Sequence, residues 1–139
     1  QTIHESQRLL IPILEDHDGI LLKVEGDSYL VIFRNIEKAL QASITMEKAL
    51  KNYNKKKTKE EQVLLCVGLG YGKVLKIGDN DVYGAEVNAA SKLGEDTARA
   101  GEILVTESIK ENSNKKSKYK FEEIKTIPPG AKKAYKLIY

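Results

Sequence analysis

The feature that most constrains the fold is a nearly continuous apolar run, Gln62–Leu69, which a pair of glycines then interrupts. Such a run is typical of a strand covered on both faces, so we predict a central strand here. Gly70-Tyr71-Gly72 predicts a bend, and Lys73–Ile77 continues as an extended segment. Cys66, the single cysteine, lies inside the run, so we expect a small buried core residue in a reducing compartment.

A hairpin and two helices are predicted before this run. Ile20–Glu25 and Tyr29–Phe33 are β-rich segments separated by Gly26-Asp27-Ser28, a hairpin signature. A helical stripe precedes them and contains Pro12, which should kink it or start a new turn. Asn35 is a good N-cap for a second helix. One side of that helix carries mostly apolar residues: Ile36, Ala39, Leu40, Ser43, Met46, Glu47 and Leu50.

The second half of the chain alternates between helix and strand. Gly84–Ala98 predicts a helix that turns Val87, Ala90 and Leu93 to the core. The remaining predicted elements are a strand at Glu102–Thr106, a short helix at Glu107–Glu111, and strands at Lys118–Lys125 and Lys133–Ile138. This order predicts an α+β fold in which helices pack on a mostly antiparallel sheet.

Length and composition limit the number of domains and the classes of function that the chain can have. The chain has 139 residues, which predicts one domain over residues 1–139. Net charge is +3, and the lysine clusters Lys55–Lys59 and Lys115–Lys120 are interpreted as solvated loops rather than a nucleic-acid site. No apolar stretch approaches the roughly 18 residues of a membrane span, and no signal peptide is apparent. We therefore expect a cytoplasmic domain, either free or part of a larger protein.

Three segments occur in the order typical of one enzyme family: Lys23–Asp27 (KVEGD), Val67–Val74 (VGLGYGKV) and Asp81–Leu93 (DVYGAEVNAASKL). The tyrosine-glycine pair followed by valine-asparagine is the most specific of these features. Together with Ala100–Thr106, they resemble the class III nucleotide cyclase catalytic domain, adenylyl type. The resemblance implies a ferredoxin-like split βαβ core and a head-to-tail homodimer with active sites at the interface. It also implies intramolecular phosphoryl transfer that converts ATP to cyclic AMP and pyrophosphate, assisted by two Mg²⁺ or Mn²⁺ ions.

Two residues match the positions that read the base in this family. Lys23 can donate a hydrogen bond to a ring nitrogen of adenine, and Asp81 can accept one from the exocyclic amine. Guanylyl cyclases typically carry glutamate and cysteine at these positions. A site with matched polar groups rejects the wrong base because mispairing leaves buried groups unsatisfied. The resemblance therefore favours ATP over GTP.

Four further residues match family positions near the phosphates and ribose. Asp27, at the hairpin tip, matches a metal-binding aspartate, and Mg²⁺ prefers such oxygen ligands. Asn88 matches the asparagine that orients the ribose. Lys92 occupies the place of an arginine that contacts the phosphates in the transition state, and lysine lacks arginine's planar fork. Lys132 is a candidate phosphate-binding residue before the last strand.

One departure from the family pattern keeps a second function open. The family's first metal aspartate lies on an opening strand, and no counterpart precedes Asp27 within residues 1–139, because Asp16 and Asp18 lie in a helix-ending turn. Together with Lys92, this departure favours a degenerate cyclase-homology domain that binds nucleotide or a partner without catalysis.

An RNA-binding module would need paired surface aromatics, which Phe33, Phe121 and the scattered tyrosines do not form. A diguanylate cyclase has a similar hairpin, but Glu25–Tyr29 (EGDSY) lacks the full signature of that family.

Overall fold

The computed structural model describes residues 2–25, 28–78, 81–113, 119–125 and 133–139. Within it the chain forms two units, Gln1–Leu65 and Cys66–Tyr139. Each unit has its own helices and strands.

The first unit joins two helices to a β-hairpin. Its elements are α1 (Thr2–Asp16), β1 (Ile20–Glu25), β2 (Ser28–Ile32) and α2 (Ile36–Asn54). β1 and β2 pair antiparallel, which confirms the predicted hairpin. Its core is built from buried residues of both helices and the segment after α2, namely Leu10, Leu14, Met46, Leu50 and Val63.

Local chemistry sets the ends of these helices. The Asn35 side chain accepts hydrogen bonds from the backbone N–H groups of Glu37 and Lys38, at 2.8 and 3.2 Å, which confirms the predicted N-cap of α2. α1 runs through Pro12 to Asp16, so the proline does not divide the helix. The chain then turns at Asp18, whose φ is +61°.

The second unit contains a four-stranded sheet, a separate hairpin and two helices. Its elements are β3 (Val67–Leu69), β4 (Leu75–Ile77), β5 (Asp81–Tyr83), α3 (Ala85–Lys92), a π-helical turn (Leu93–Thr97), β6 (Ile103–Thr106), α4 (Glu107–Asn112), β7 (Lys120–Glu123) and β8 (Ala134–Ile138). The four-stranded sheet has the order β3-β6-β8-β7, and β4 pairs with β5. β3 and β6 are parallel, whereas the other pairs are antiparallel. The α+β prediction with a mostly antiparallel sheet is confirmed.

The prediction of a central strand over Gln62–Leu69 was wrong. Only the end of the run, β3, is a strand, and in the described part of the chain it lies at the edge of its sheet. The Asn54 side chain bonds both the N–H and the C=O of Val63, at 2.9 and 2.8 Å. These backbone groups are therefore satisfied by an amide side chain instead of a neighbouring strand. Cys66 is exposed rather than buried, which also contradicts the expectation.

The helix predicted over Gly84–Ala98 is shorter and changes its form. α3 ends at Lys92, and the next five residues form a π-helical turn. Leu93 is buried as predicted, while Val87 and Ala90 are half-buried. β3 packs closely against α3 at Gly68, where a Cβ would lie 2.1 Å from the Ala90 carbonyl oxygen. Because glycine has no side chain, the strand can approach the helix this closely.

None of the helices in the described residues is long and apolar enough to cross a membrane. The assignment of residues 1–139 to a single domain stays a prediction.

Candidate nucleotide-binding site

A continuous segment of the second unit carries three of the predicted site residues. Asp81 begins β5 opposite Ile77; its side chain lies outside the part that the structure describes. Gly84 follows β5 and has φ +155°, a conformation that disfavours side chains. A Cβ on Gly84 would lie 2.9 Å from the carbonyl oxygen of Lys73, so glycine is required where β5 passes into α3.

Asn88 and Lys92 lie on one exposed face of α3. They are four residues apart, which places them one above the other along the helix. Both side chains are exposed, whereas Val87, Ala89 and Ala90 on other faces are half-buried. The backbone N–H of Asn88 donates to the Gly84 carbonyl oxygen at 3.1 Å, which closes the first turn of the helix. The face therefore presents an amide and an ammonium group to solvent, on residues whose Cα atoms are about 6 Å apart along the axis by helix geometry.

Lys23 lies in β1 of the first unit and is partly exposed, with 38% of its side chain accessible. Its ammonium group forms an ion pair with Glu25 Oε1 at 2.9 Å. A β-bulge between Leu21 and Lys23 shifts the register of this strand. Such bulges re-aim the side chains that follow them. Whether Lys23 and Asp81 read one base together stays a prediction, because they belong to different units.

The predicted metal and phosphate residues, Asp27 and Lys132, lie outside the described residues. Among the residues that are described, no group of three or more His, Cys, Asp or Glu side chains could hold a metal ion. Asp16 ends α1 and Asp18 lies in the turn after it, as the sequence indicated. The two-metal requirement therefore stays a prediction.

A contact that the sequence did not predict centres on Glu86, a half-buried residue in the first turn of α3. Its Oε1 accepts a hydrogen bond from the Tyr71 backbone N–H at 3.0 Å and another from Thr106 Oγ1 at 2.6 Å. Cβ atoms at Gly70 and Gly72 would lie 2.5 Å from the Glu86 carbonyl oxygen and 2.8 Å from its Cγ. The two glycines of the predicted bend are thus the signal for this contact, although the sequence did not reveal its partner.

The chain matches the model of the adenylate and guanylate cyclase catalytic domain over residues 2–138, and it therefore belongs to this family. This finding confirms the resemblance to the nucleotide cyclase catalytic domain drawn from the KVEGD, VGLGYGKV and DVYGAEVNAASKL segments, and the adenylyl type stays a prediction.

Two curated relatives contain similar segments. The chain is 30% identical over 102 residues to the serine/threonine-protein kinase pkn2 of Myxococcus xanthus, covering 73% of the chain and 12% of the relative. It is 27% identical over 105 residues to "Putative adenylate cyclase 3" of Rhizobium meliloti (strain 1021), covering 76% of the chain and 18% of the relative. The chain thus spans under a fifth of each relative's length.

Solved structures share the fold at low sequence identity. An adenylate/guanylate cyclase/hydrolase from Silicibacter pomeroyi has a TM-score of 0.81 at 19% identity, covering 96% of this chain and 80% of that one. The catalytic core of a rhodopsin-guanylyl cyclase with converted specificity, in complex with ATPαS, has a TM-score of 0.76 at 21% identity, covering 98% and 80%. These likenesses establish the cyclase fold.

Proposed function

We propose that this domain is an adenylyl cyclase that converts ATP to cyclic AMP and pyrophosphate. The ribose 3′-oxygen attacks the α-phosphorus, the bond from this phosphorus to the oxygen bridging to the β-phosphate breaks, and the 3′-hydroxyl loses its proton. The observation that carries the proposal is the β5–Gly84–α3 segment. It places Asn88 and Lys92 on one exposed helix face directly after the strand that contains Asp81.

Each matched residue has a role in this proposal. Lys23 and Asp81 bind adenine, Asn88 orients the ribose, and Lys92 stabilises charge that develops on the phosphates. Asp27 would hold a divalent cation and Lys132 would bind phosphate. Two such ions, Mg²⁺ or Mn²⁺, would neutralise the phosphates and activate the 3′-hydroxyl.

A homodimer is part of the proposal, with each active site built from two copies. The β4–β5 hairpin supports it, because Leu75 and Tyr83 are directly opposite each other and are 63% and 53% exposed. Val74, the preceding residue, is 45% exposed. Exposed apolar side chains on a two-stranded hairpin favour cover by another surface. A cytoplasmic location is expected from the ATP requirement.

The proposal is tested by assaying the purified protein with ATP or GTP and excess Mn²⁺ over a range of protein concentrations. We expect cyclic AMP from ATP, with little product from GTP and a specific activity that rises with protein concentration. Asn88→Ala should lower the rate at least about tenfold while leaving the unfolding midpoint nearly unchanged, because this side chain is exposed.

Other results of this assay are equally informative. Selective formation of cyclic GMP would contradict the adenine assignment to Lys23 and Asp81 while keeping the reaction class. A folded sample that forms no product from either nucleotide would contradict the enzyme proposal. It would favour a cyclase-homology domain that binds nucleotide or a partner, for which Lys92 in place of arginine is the supporting observation.

A further inference from the structure

Tyr71 lies in the bend between β3 and the β4–β5 hairpin, and its backbone N–H and C=O groups are both hydrogen-bonded to side chains. The N–H of Tyr71 donates to Glu86 Oε1 at 3.0 Å, and its carbonyl oxygen accepts from Ser108 Oγ at 2.6 Å. Both backbone polar groups of Tyr71 are therefore held by side chains of the two helices, α3 and α4.

Glu86 extends this connection to the four-stranded sheet. The same oxygen that binds Tyr71 accepts the hydroxyl of Thr106, the last residue of β6, at 2.6 Å. Thr106 is 4% exposed, and buried polar groups need a hydrogen-bond partner. Glu86 provides that partner for the Thr106 hydroxyl group. We call Tyr71, Glu86, Thr106 and Ser108 the bend clamp.

Glycines pack closely around the bend clamp. Gly70 and Gly72 approach Glu86 so closely that any Cβ would collide with its backbone or side chain. At the base of the hairpin, where β5 passes into α3, Gly84 packs against the Lys73 carbonyl oxygen. The segment entering the hairpin therefore contacts Glu86 of α3 at the bend and the residue before α3 at Lys73.

We propose that Glu86 is a positioning residue that sets the direction of the β4–β5 hairpin relative to α3. This inference rests on the proposed function, in which the hairpin supplies Asp81 for the base and α3 supplies Asn88 and Lys92 for the ribose and phosphates. A misplacement of about 1 Å between such groups can cost about a hundredfold in rate. In this proposal Glu86 acts through these residues, because its Oε1 is bonded to Tyr71 and Thr106.

Two substitutions at Glu86 test the proposal. Glu86→Ala removes both hydrogen bonds, whereas Glu86→Gln keeps an acceptor oxygen of the same reach. We expect Glu86→Ala to lower kcat/KM for ATP by about ten- to a hundredfold and to lower the ATP-to-GTP preference at least about fivefold. Glu86→Gln should restore both values to within about threefold of the parent protein.

The ATP-to-GTP preference separates positioning from a general loss of structure. A smaller folded fraction would reduce the rates for both nucleotides equally, whereas a misdirected hairpin weakens the reading of the base. Ser108→Ala, which releases only the Tyr71 carbonyl, provides a milder variant if Glu86→Ala does not fold, and it should lower the preference in the same direction. Glu95→Ala, an exposed glutamate in the π-helical turn, is the matched control and should change nothing.

Hydrogen exchange at the Tyr71 amide reports on the bend clamp without any nucleotide. Protection should fall in Glu86→Ala and remain in Glu86→Gln. Unchanged protection, or equal losses of rate with ATP and GTP in an active enzyme, would overturn the role of Glu86 and leave the proposed function standing. A parent protein that converts neither nucleotide would overturn the proposed function and the positioning role together.

Discussion

Position 92 is a lysine in a family whose pattern has arginine there. The side chain is exposed at the end of α3, on the same face as Asn88. Lysine supplies a point charge, while arginine supplies a planar fork that binds two phosphate oxygens at once. Stabilisation of charge in the transition state is often the largest catalytic contribution, so this single side chain is expected to limit the rate.

Substitutions at this position test that role directly. We expect Lys92→Arg to raise kcat roughly three- to tenfold and Lys92→Ala to lower it more than about tenfold, with smaller changes in KM. Steady-state cyclic AMP formation measures both effects. Lys48→Ala, on the exposed face of α2, is the matched control and should behave as the parent. Equal rates in all three variants would mean that Lys92 is only a solvated helix residue.

At the scale of an element, α2 carries a polar group into its apolar face. Glu47 is 5% exposed, and its buried Oε2 has no hydrogen-bond partner in the part of the chain that the structure describes. One turn earlier, the Ser43 hydroxyl is satisfied by the Ala39 carbonyl oxygen at 2.8 Å. Burial raises the pKa of Glu47 from 4.5 to about 8, because the charged carboxylate would lose its hydration. The folded protein therefore holds this carboxyl group in its neutral form at neutral pH.

This shift makes stability depend on pH with a definite sign. The folded state retains the proton up to about pH 8, while the unfolded chain loses it near pH 4.5. The contribution of Glu47 is therefore fully present below pH 4.5 and is lost as pH rises toward 8. Glu47→Gln cannot ionise, so it should be more stable than the parent by a few kcal/mol at pH 8 and similar to it at pH 4.5.

Chemical denaturation at several pH values measures this difference in the free energy of unfolding. Glu60→Gln, an exposed glutamate in the loop after α2, is the control and should follow the parent curve. If Glu47→Gln kept the parent's decline between pH 4.5 and 8, the buried carboxyl group would not be its source.

At the scale of the whole molecule, the proposed homodimer requires a surface through which two copies of the chain associate. The cross-strand pair Leu75 and Tyr83 offers apolar area on the β4–β5 hairpin. Placing a charge there should weaken association, because an ammonium group buried without a partner is costly. We expect Leu75→Lys to raise the dimer dissociation constant at least about thirtyfold and to move the rise in specific activity to higher protein concentration.

Sedimentation velocity and the concentration dependence of cyclic AMP formation together test this expectation. Ile3→Lys, at an exposed apolar position of α1, is the matched control and should leave association unchanged. A monomeric protein with activity independent of concentration would contradict the dimer proposal, and a dimer unaffected by Leu75→Lys would place the interface elsewhere.

The sequence by itself determined those features that depend on neighbours along the chain. Hairpin β1–β2, the Asn35 cap and the buried face of α2 follow from periodicity, turn residues and capping chemistry, which act over a few residues. The family was also readable, since its motifs are local strings in a fixed order. The Gly70 and Gly72 bend was predicted for the same reason.

Tertiary structure alone decided which groups satisfy one another across long sequence separations. The Asn54 side chain bonds the backbone groups of Val63. Only the end of the apolar run forms a strand, which lies at the edge of its sheet in the described part of the chain, and Cys66 is exposed. Glu86 joins Tyr71 and Thr106, residues 15 and 20 positions away, through one carboxylate oxygen. Periodicity carries no record of such partners, because a hydrogen bond between distant residues depends on where the fold places them and not on the spacing of apolar residues.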